Sequence, residues 1–425
     1  MTLLHKLALD LDKQDKLSIF RDEFYFPEDS PIYLDGNSLG LLSKRAEASL
    51  LASLEDWKRY AIDGWTNGEN PWFYYGEKLS GLKAPLIGAS PKEIATAGSI
   101  TSNLHQLIST LYQPEGTKTK ILTDNLAFPT DIYVLESQMK LKGVNPADNL
   151  MKVVSSDGQT LNEDRIIEKM TEDICLILLP SVLYRSGQLL DLNKLTKAAH
   201  ERNIIIGFDL AHSIGVVPHQ LHETGCDFAV WCTYKYLNSG PGGVGGLFLH
   251  EKHHGTEPGL TGWFGSDKSK QFDMSHTFTP ADDASAFQLG TPHILNCAPL
   301  QGSLEMFQEA GIATIREKSL RMTAFMRKLF SELKLLDDRI EFITPEEDHR
   351  RGGHLALSHP DAARICKDLK TRGVIPDFRA PHFIRFAPAP LYTSFTDVWE
   401  TYQVLKSILE SKSYERFSNE RNVIA

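Results

Sequence analysis

The sequence predicts an α/β protein in which a large domain on a mostly parallel sheet is followed by a smaller α+β C-terminal domain. Two observations carry this. From about residue 90 to 250, the strand-length apolar runs "KILTD", "DICLILLP", "NIIIGFDL", "CDFAVWCTY" and "VGGLFLH" alternate with helix-length segments. Continuous apolarity marks strands buried on both faces, as parallel strands covered by helices are. After Pro299, Met322, Phe325, Met326 and Leu329 fall on one helix face. "IEFITP", "GHLALS" and "FIRFAP" then alternate with helical stretches that end in "TDVWETYQVLKSIL", the mixture of a small α+β unit. The expected domains are an N-terminal segment over 1–50 that packs with the small domain, a large domain over 51–300 and a small domain over 301–425. No internal repeat or low-complexity segment interrupts them.

Composition narrows the partners. The chain has 425 residues, 41% hydrophobic and 24% charged, with a formal charge of -10, and no basic stretch supplies a cluster of phosphate contacts, so nucleic acid is not an expected partner. The opening "MTLLHKLALDLDKQDKL" is broken by His5, Lys6 and Asp10 and reads as a short amphipathic helix rather than a signal peptide. No run reaches the roughly 18 apolar residues of a membrane span. Five cysteines, Cys175, Cys226, Cys232, Cys297 and Cys366, are an odd number and form no CxxC pair. This usage suits a reducing cytoplasm and points to no metal site.

Two strand ends draw attention. In open α/β sheets ligands bind beyond the carboxyl ends of the strands, and "NIIIGFD" delivers Asp209 to one such end while "FAVWCTYK" delivers Lys235 to another. An amine and a carboxylate sharing one crevice meet the two demands of pyridoxal phosphate: a Schiff-base lysine and an acid facing the pyridine nitrogen. A structural ion pair at a sheet end meets the same spacing. In "TAGSITSNLHQLISTL", Gly98, Ser99, Thr101, Ser102 and Asn103 precede a helical pattern, which makes either a phosphate cradle or an ordinary cap.

Two motifs are decoys. "GPGGVGG" lacks the GxxxxGK[ST] order, and its lysine precedes the glycines. "HEKHH" satisfies HExxH through His250, Glu251 and His254, but it follows the strand-like "GGLFL" and is closed by Gly255, so it reads as a solvated loop rather than a zinc helix.

"FDLAHSIG" and "WCTYKYLNSGPGG", with "SITSNLH", "AFPTDIYVLESQ", "TGWFG" and "IRFAPAPLY", resemble the kynureninase family, pyridoxal-phosphate enzymes of the aspartate-aminotransferase fold (fold type I). The resemblance runs from "IYLDGNSLG" at residue 32 to about residue 410. It implies Lys235 as the Schiff-base lysine, Asp209 facing the pyridine nitrogen and His212 beside it. Tyr234 then touches the phosphate and serves as candidate proton donor. Ile100 and Thr101 match the phosphate turn, Phe128 the aromatic that stacks on the cofactor ring, and Asp131 a second acid near the cofactor. Trp263 matches a tryptophan that reaches a neighbouring subunit's cofactor, implying a homodimer with active sites at the subunit interface. Arg385 matches the arginine that pairs with the substrate α-carboxylate. Trp65 and Thr291 resemble bacterial choices at the aromatic end of the substrate pocket, Thr291 also bordering the cofactor, which favours L-kynurenine over its 3-hydroxy form. Pro180 departs from relatives that carry a polar residue near the cofactor, and a proline offers neither a side-chain hydrogen bond nor an N–H.

The implied reaction is hydrolytic Cβ–Cγ cleavage of L-kynurenine to anthranilate and L-alanine, within tryptophan catabolism and NAD-related metabolism. Lys235 removes the α-proton, water adds to the γ-carbonyl, and collapse of the hydrate breaks the bond. Other reactions on the same fold compete, as does a non-catalytic binding role. A desulfurase needs a nucleophilic cysteine on a mobile loop, and no exposed Gly/Ser-rich segment carries one.

Overall fold

The structure, a computed structural model, describes residues 3–29 and 31–420. Its strands in chain order are β1 (Ile32–Tyr33), β2 (Ile94–Thr96), β3 (Lys120–Asp124), β4 (Leu150–Val153), β5 (Ile174–Pro180), β6 (Ile205–Asp209), β7 (Phe228–Trp231), β8 (Gly246–Leu249), β9 (Glu341–Phe342), β10 (Leu355–Ser358), β11 (Val374–Ile375), β12 (Asp377–Arg379) and β13 (Phe383–Phe386).

The central sheet has the order β2-β8-β7-β6-β5-β3-β4. The pairs β7–β6, β6–β5, β5–β3 and β3–β4 are parallel, and β8 runs against both of its neighbours. Parallel neighbours need helical crossovers: the helix Leu192–His200 connects β5 to β6 and the helix Pro129–Leu141 connects β3 to β4. Strand β8 reverses direction because a loop, not a helix, joins it to β7. Every residue of β5 is buried, the physical reason that "ICLILLP" shows no alternation.

The small sheet, β12-β13-β10-β9, is antiparallel throughout. The helix Ile312–Ser331 buries Met322, Phe325, Met326 and Leu329, and those side chains share a core with Ala8, Ile32 and Leu34 from the N-terminal segment. Strand β1 pairs in parallel with β11, and the Asp12 carboxylate accepts the Phe395 and Thr396 N–H groups at 2.6 and 2.9 Å, capping the helix Phe395–Ser411. Pro299 lies inside the helix Ile294–Ala310, whose Leu300, Leu304 and Phe307 belong to the large core, as Ile315 does. The chain therefore passes from one core to the other between Ile315 and Met322.

"HEKHH" is not a solvated loop. Glu251–His253 form a 3-10 turn pinned by two buried carboxylates: Asp227 meets His253 Nε2 at 2.8 Å, and Glu93 accepts the Glu251 N–H at 3.0 Å. These partners are distant in sequence, so no local pattern announced them.

Candidate active site

Asp209 ends β6, and Lys235 sits in the turn four residues past the end of β7. Both open into one cleft of about 310 Å³ at the carboxyl edge of the sheet. Lys235 Nζ lies 3.0 Å from His212 Nε2. Burial, then the positive charges of Lys235 and Arg385, hold His212 well below the usual imidazole range, so its ring is neutral and Nε2 accepts from the amine. Asp209 Oδ1 accepts the Ala211 N–H at 2.7 Å. Burial pushes the Asp209 carboxyl up while Lys235 pulls it down, so a cationic partner held against it would restore its charge. Asp131 lies behind it, its carboxyl raised well above the ordinary value by burial and by the charges of Asp209 and Asp124. Pro180, at the end of β5, is in register with Asp209 and lines the same cleft.

The second wall is the turn before the helix Ile100–Leu111. Ser99 caps this helix, its Oγ accepting the Ser102 N–H while Ser102 Oγ accepts the Ser99 N–H. The Asn103 N–H is taken by the Ser99 carbonyl. The N–H groups of Ile100 and Thr101 are left at the positive end of the helix without an intrahelical acceptor. Thr101 Oγ1 lies 2.7 Å from Thr130 Oγ1. Phe128, 46% exposed, presents its ring to the cleft just before the helix Pro129–Leu141. Tyr234 completes this side; burial and the neighbouring Cys232 push its hydroxyl pKa up.

The small domain supplies the third wall. Arg385 on β13 is fully buried and held by the Asp377 carboxylate, the Tyr184 carbonyl and, at 3.2 Å, Ser38 Oγ. Arg379 lies across the β12–β13 pair, 3.1 Å from both Asp377 and Ser38 Oγ. Two guanidiniums thus share Asp377 at the cleft edge. The Asp35 carboxyl nearby is pushed up to about 7, first by burial and then by the charge of Asp377. Two guanidiniums held on one carboxyl group present a fork of donors suited to a substrate carboxylate. Asn37, Ser38, Tyr184 and Arg379 line the cleft but were not singled out from sequence. Asn37 and Ser38 stand in "DGNSLG", a polar pair between glycines. For Arg379 the only signal was the "DFRAPHFIR" hairpin spacing.

The residues fit pyridoxal phosphate. Around the cleft, His212 Nδ1, Asp131 Oδ1 and both amide atoms of Asn37 are buried without a hydrogen-bond partner among the described residues, and such groups await a polar ligand. An amine, a carboxylate opposite it, an open helix N-terminus and an exposed aromatic face are the donor set this cofactor uses.

Ile100, Thr101, Phe128, Asp131, Asp209, His212, Tyr234, Lys235 and Arg385 all line this cleft; Trp65, Trp263 and Thr291 do not. Thr291 is exposed beside Gly98 and Ser102 in a neighbouring hollow of about 260 Å³, on the other side of the phosphate-like turn. Trp263, 42% exposed, meets Phe272 edge-on at 5.6 Å. Trp65 packs edge-on against Trp72 at 5.7 Å.

Comparison with known proteins agrees with this site. The family model described as the kynureninase C-terminal domain matches residues 315–405. A protein named kynureninase from Bacillus anthracis is 58% identical over 99% of this chain and 98% of its own length, and one from Geobacillus thermodenitrificans is 57% identical with the same coverage. Among solved structures, a C-DES mutant with glycine covalently linked to its PLP cofactor superposes with a TM-score of 0.77 at 16% identity, covering 91% of this chain and 98% of that one. An apo cysteine desulfurase from Thermococcus onnurineus superposes with a TM-score of 0.75 at 19% identity, covering 92% of this chain and 98% of that one. At these identities the structural likeness concerns the fold, which is that of the fold type I PLP-dependent enzymes. With the relatives at 57–58% identity over nearly the whole chain, the protein belongs to the kynureninase family of PLP-dependent hydrolases.

Proposed function

We propose that this chain hydrolyses the Cβ–Cγ bond of L-kynurenine, releasing anthranilate and L-alanine, with pyridoxal 5'-phosphate bound at Lys235. The observation that carries the reading is the single cleft in which the Lys235 amine, the Asp209 carboxylate and the Arg385 guanidinium converge. When bound, the cofactor supplies an electron sink that makes the α-proton of an amino acid acidic. The chain does the rest. Asp209 would balance positive charge on the pyridine nitrogen, the N–H groups of Ile100 and Thr101 would receive the phosphate, and Phe128 would cover the ring. Arg385, kept in place by Asp377, pairs with the substrate α-carboxylate and fixes which side of the α-carbon faces Lys235. Lys235, steered by neutral His212, removes the α-proton. Water adds to the γ-carbonyl, the hydrate collapses with release of anthranilate, Tyr234 gives a proton to the β-carbon that has lost its partner, and Lys235 returns the proton to the α-carbon, which completes L-alanine. A raised hydroxyl pKa keeps the Tyr234 proton in place until it is needed.

Trp263 and Thr291 lie outside the cleft of their own chain, and in this reading they act on the cleft of a second copy in a homodimer. Trp65 packs against Trp72 outside the cleft of its own chain; its role at the aromatic end of the substrate pocket, favouring L-kynurenine over the 3-hydroxylated substrate, rests on the family resemblance alone. All five cysteines are buried, and burial pushes the thiols of Cys175, Cys226, Cys232, Cys297 and Cys366 up. This disfavours a desulfurase, which needs an exposed thiolate, and supports a reducing cytoplasmic setting. No helix among the described residues is long and apolar enough to cross a membrane.

The test is the absorption spectrum of the purified protein with and without L-kynurenine, together with anthranilate fluorescence and a Lys235→Ala control. A visible cofactor band, with anthranilate released only by the unmutated chain, is the expected result. A visible band without anthranilate assigns another reaction to the cleft, and no band after incubation with pyridoxal phosphate removes Lys235 from its role.

A further inference from the structure

Outside the cleft, three side chains converge. Glu93 precedes β2, His222 lies in the short helix Leu221–Thr224, and His250 follows β8. Glu93 is fully buried, and its two oxygens accept the Ser90 and Glu251 N–H groups at 2.9 and 3.0 Å. His222 Nδ1 lies 2.9 Å from Glu93 Oε1, His250 Nδ1 lies 3.9 Å from the same oxygen, and the imidazoles stack at 5.2 Å between centroids. One donor atom from each side chain falls within 4.8 Å of the other two.

We propose that Glu93, His222 and His250 form a binding site for a divalent transition-metal ion, zinc in the first instance. Zinc bonds of about 2.0–2.1 Å to nitrogen and oxygen at tetrahedral angles place neighbouring donors about 3.3 Å apart. The observed 2.9 and 3.9 Å bracket that separation. A second feature is independent of these distances. His250 Nε2 lies 3.2 Å from the His222 carbonyl, which can only accept, so Nε2 carries the proton and Nδ1 is the unprotonated nitrogen; its lone pair accepts the Lys252 N–H at 3.2 Å, a contact that a bound ion would replace. Metal-ligating histidines are commonly oriented in this way, by a carbonyl on the far ring nitrogen. The two backbone N–H groups on Glu93 fix the carboxylate likewise. The one cation in the turn, Lys252, is drawn to Asp227 at 2.8 Å and to the Gly225 carbonyl at 2.7 Å, so its charge is answered elsewhere. Two imidazoles and one carboxylate are a borderline donor set, suited to zinc rather than magnesium or calcium. They occupy three positions and leave the fourth to water. "HEKHH" thus contributes His250 alone, with partners from two other elements, instead of the helical HExxH pair.

The experiment is titration of chelator-treated holoenzyme with zinc chloride against a chromophoric competitor, in the unmutated chain and in H222A and H250A separately. The expected result is one zinc per chain, bound at least about tenfold more weakly in each variant, with kynurenine turnover at zero zinc unchanged in both. X-ray absorption of the loaded protein then shows two imidazoles in a nitrogen and oxygen shell. The proposal is overturned by the absence of stoichiometric binding in the unmutated chain, or by affinity unchanged in both variants, which places the ion at His200, His253 and Asp227 or elsewhere. Thermal unfolding without metal identifies a misfolded variant; H222Q and H250Q then replace it and are judged by the same titration.

Discussion

At the scale of single residues, two of the buried basic side chains, Arg385 and Lys83, are used differently. Arg385 is fully buried but tied to Asp377, Ser38 and a carbonyl, with the cleft open beside it. Arg385→Lys keeps a positive charge but loses the planar fork. We expect KM for kynurenine to rise by about tenfold to a hundredfold with a smaller loss in kcat, read from steady-state kinetics. Equal loss in kcat and kcat/KM with KM unchanged would place Arg385 outside substrate binding. Lys83 has no carboxylate near it. Its Nζ donates to Thr96 Oγ1 at 2.5 Å above the Trp231 ring, and burial brings its pKa down to about 7. The ordinary value is about 10.4, so between pH 7 and that value the unfolded chain carries the extra proton and the native chain does not. Stability contributed here is therefore present above the unfolded pKa and lost as pH falls toward 7. Lys83→Met removes this slope of up to about 1.4 kcal/mol per pH unit. Denaturant midpoints at pH 7 and pH 9 should differ more in the unmutated chain than in the variant, and equal differences would contradict the burial argument.

At the scale of elements, function gathers where strands end and helices begin. The turn before the helix Ile100–Leu111 is shaped by Gly98, whose φ of +53° lies in the left-handed region and whose added Cβ would stand 2.4 Å from Ser102 Oγ and 2.7 Å from Asn103 Oδ1. Gly98→Ala therefore strains the backbone by about 1 kcal/mol and pushes on Ser102, which shares the capping box with Ser99, and on Asn103, whose amide donates to the Ala97 carbonyl. The expected outcome is cofactor affinity weakened by at least about tenfold, with the melting temperature of the cofactor-free protein lowered by only about 1 °C per kcal/mol, because the shift shrinks as the chain grows. Unchanged affinity in a pyridoxal-phosphate titration would show that this turn does not hold the phosphate. The element scale also explains why a likeness to desulfurases survives at 16–19% identity. The strand-end geometry that holds Asp209 and Lys235 depends on sheet order, which many sequences satisfy, whereas the reaction depends on what the loops and the small domain add.

For the whole molecule, Tyr74, Leu260, Trp263, Phe272, Met274 and Leu289 are exposed, and Trp263 meets Phe272 edge-on at 5.6 Å. Thr291 borders the turn before the helix Ile100–Leu111, and neither it nor Trp263 enters the cleft. In the homodimer we propose, Trp263→Ala loosens the interface and the partner's cofactor site together. Sedimentation at micromolar concentration should show the unmutated chain at twice 47.7 kDa, with the variant shifted toward monomer and losing cofactor in parallel. A variant that stays dimeric with full cofactor occupancy would remove the tryptophan from both roles.

The sequence by itself determined the α/β class, the strands that carry Asp209 and the approach to Lys235, and the amphipathic helices at both ends. These follow from periodicity and from apolar runs, which are local properties of the chain. It also carried the family motifs that singled out Lys235, Asp209, His212, Tyr234, Phe128 and Arg385 among the cleft-lining residues. Tertiary structure alone decided the rest, because contacts between distant segments leave no local trace. Asn37 and Ser38 reach the cleft only through the docking of the N-terminal segment, where the Gly40 N–H donates to the Tyr234 carbonyl at 2.8 Å. Arg379 joins Arg385 only through the β12–β13 pairing. The short β1, β11 and β12 are two or three residues long, too short for an alternation to show, and exist because a neighbour supplies their hydrogen bonds. The histidines of "HEKHH" changed meaning for the same reason: buried Glu93 and Asp227, from other parts of the chain, determine where each imidazole points.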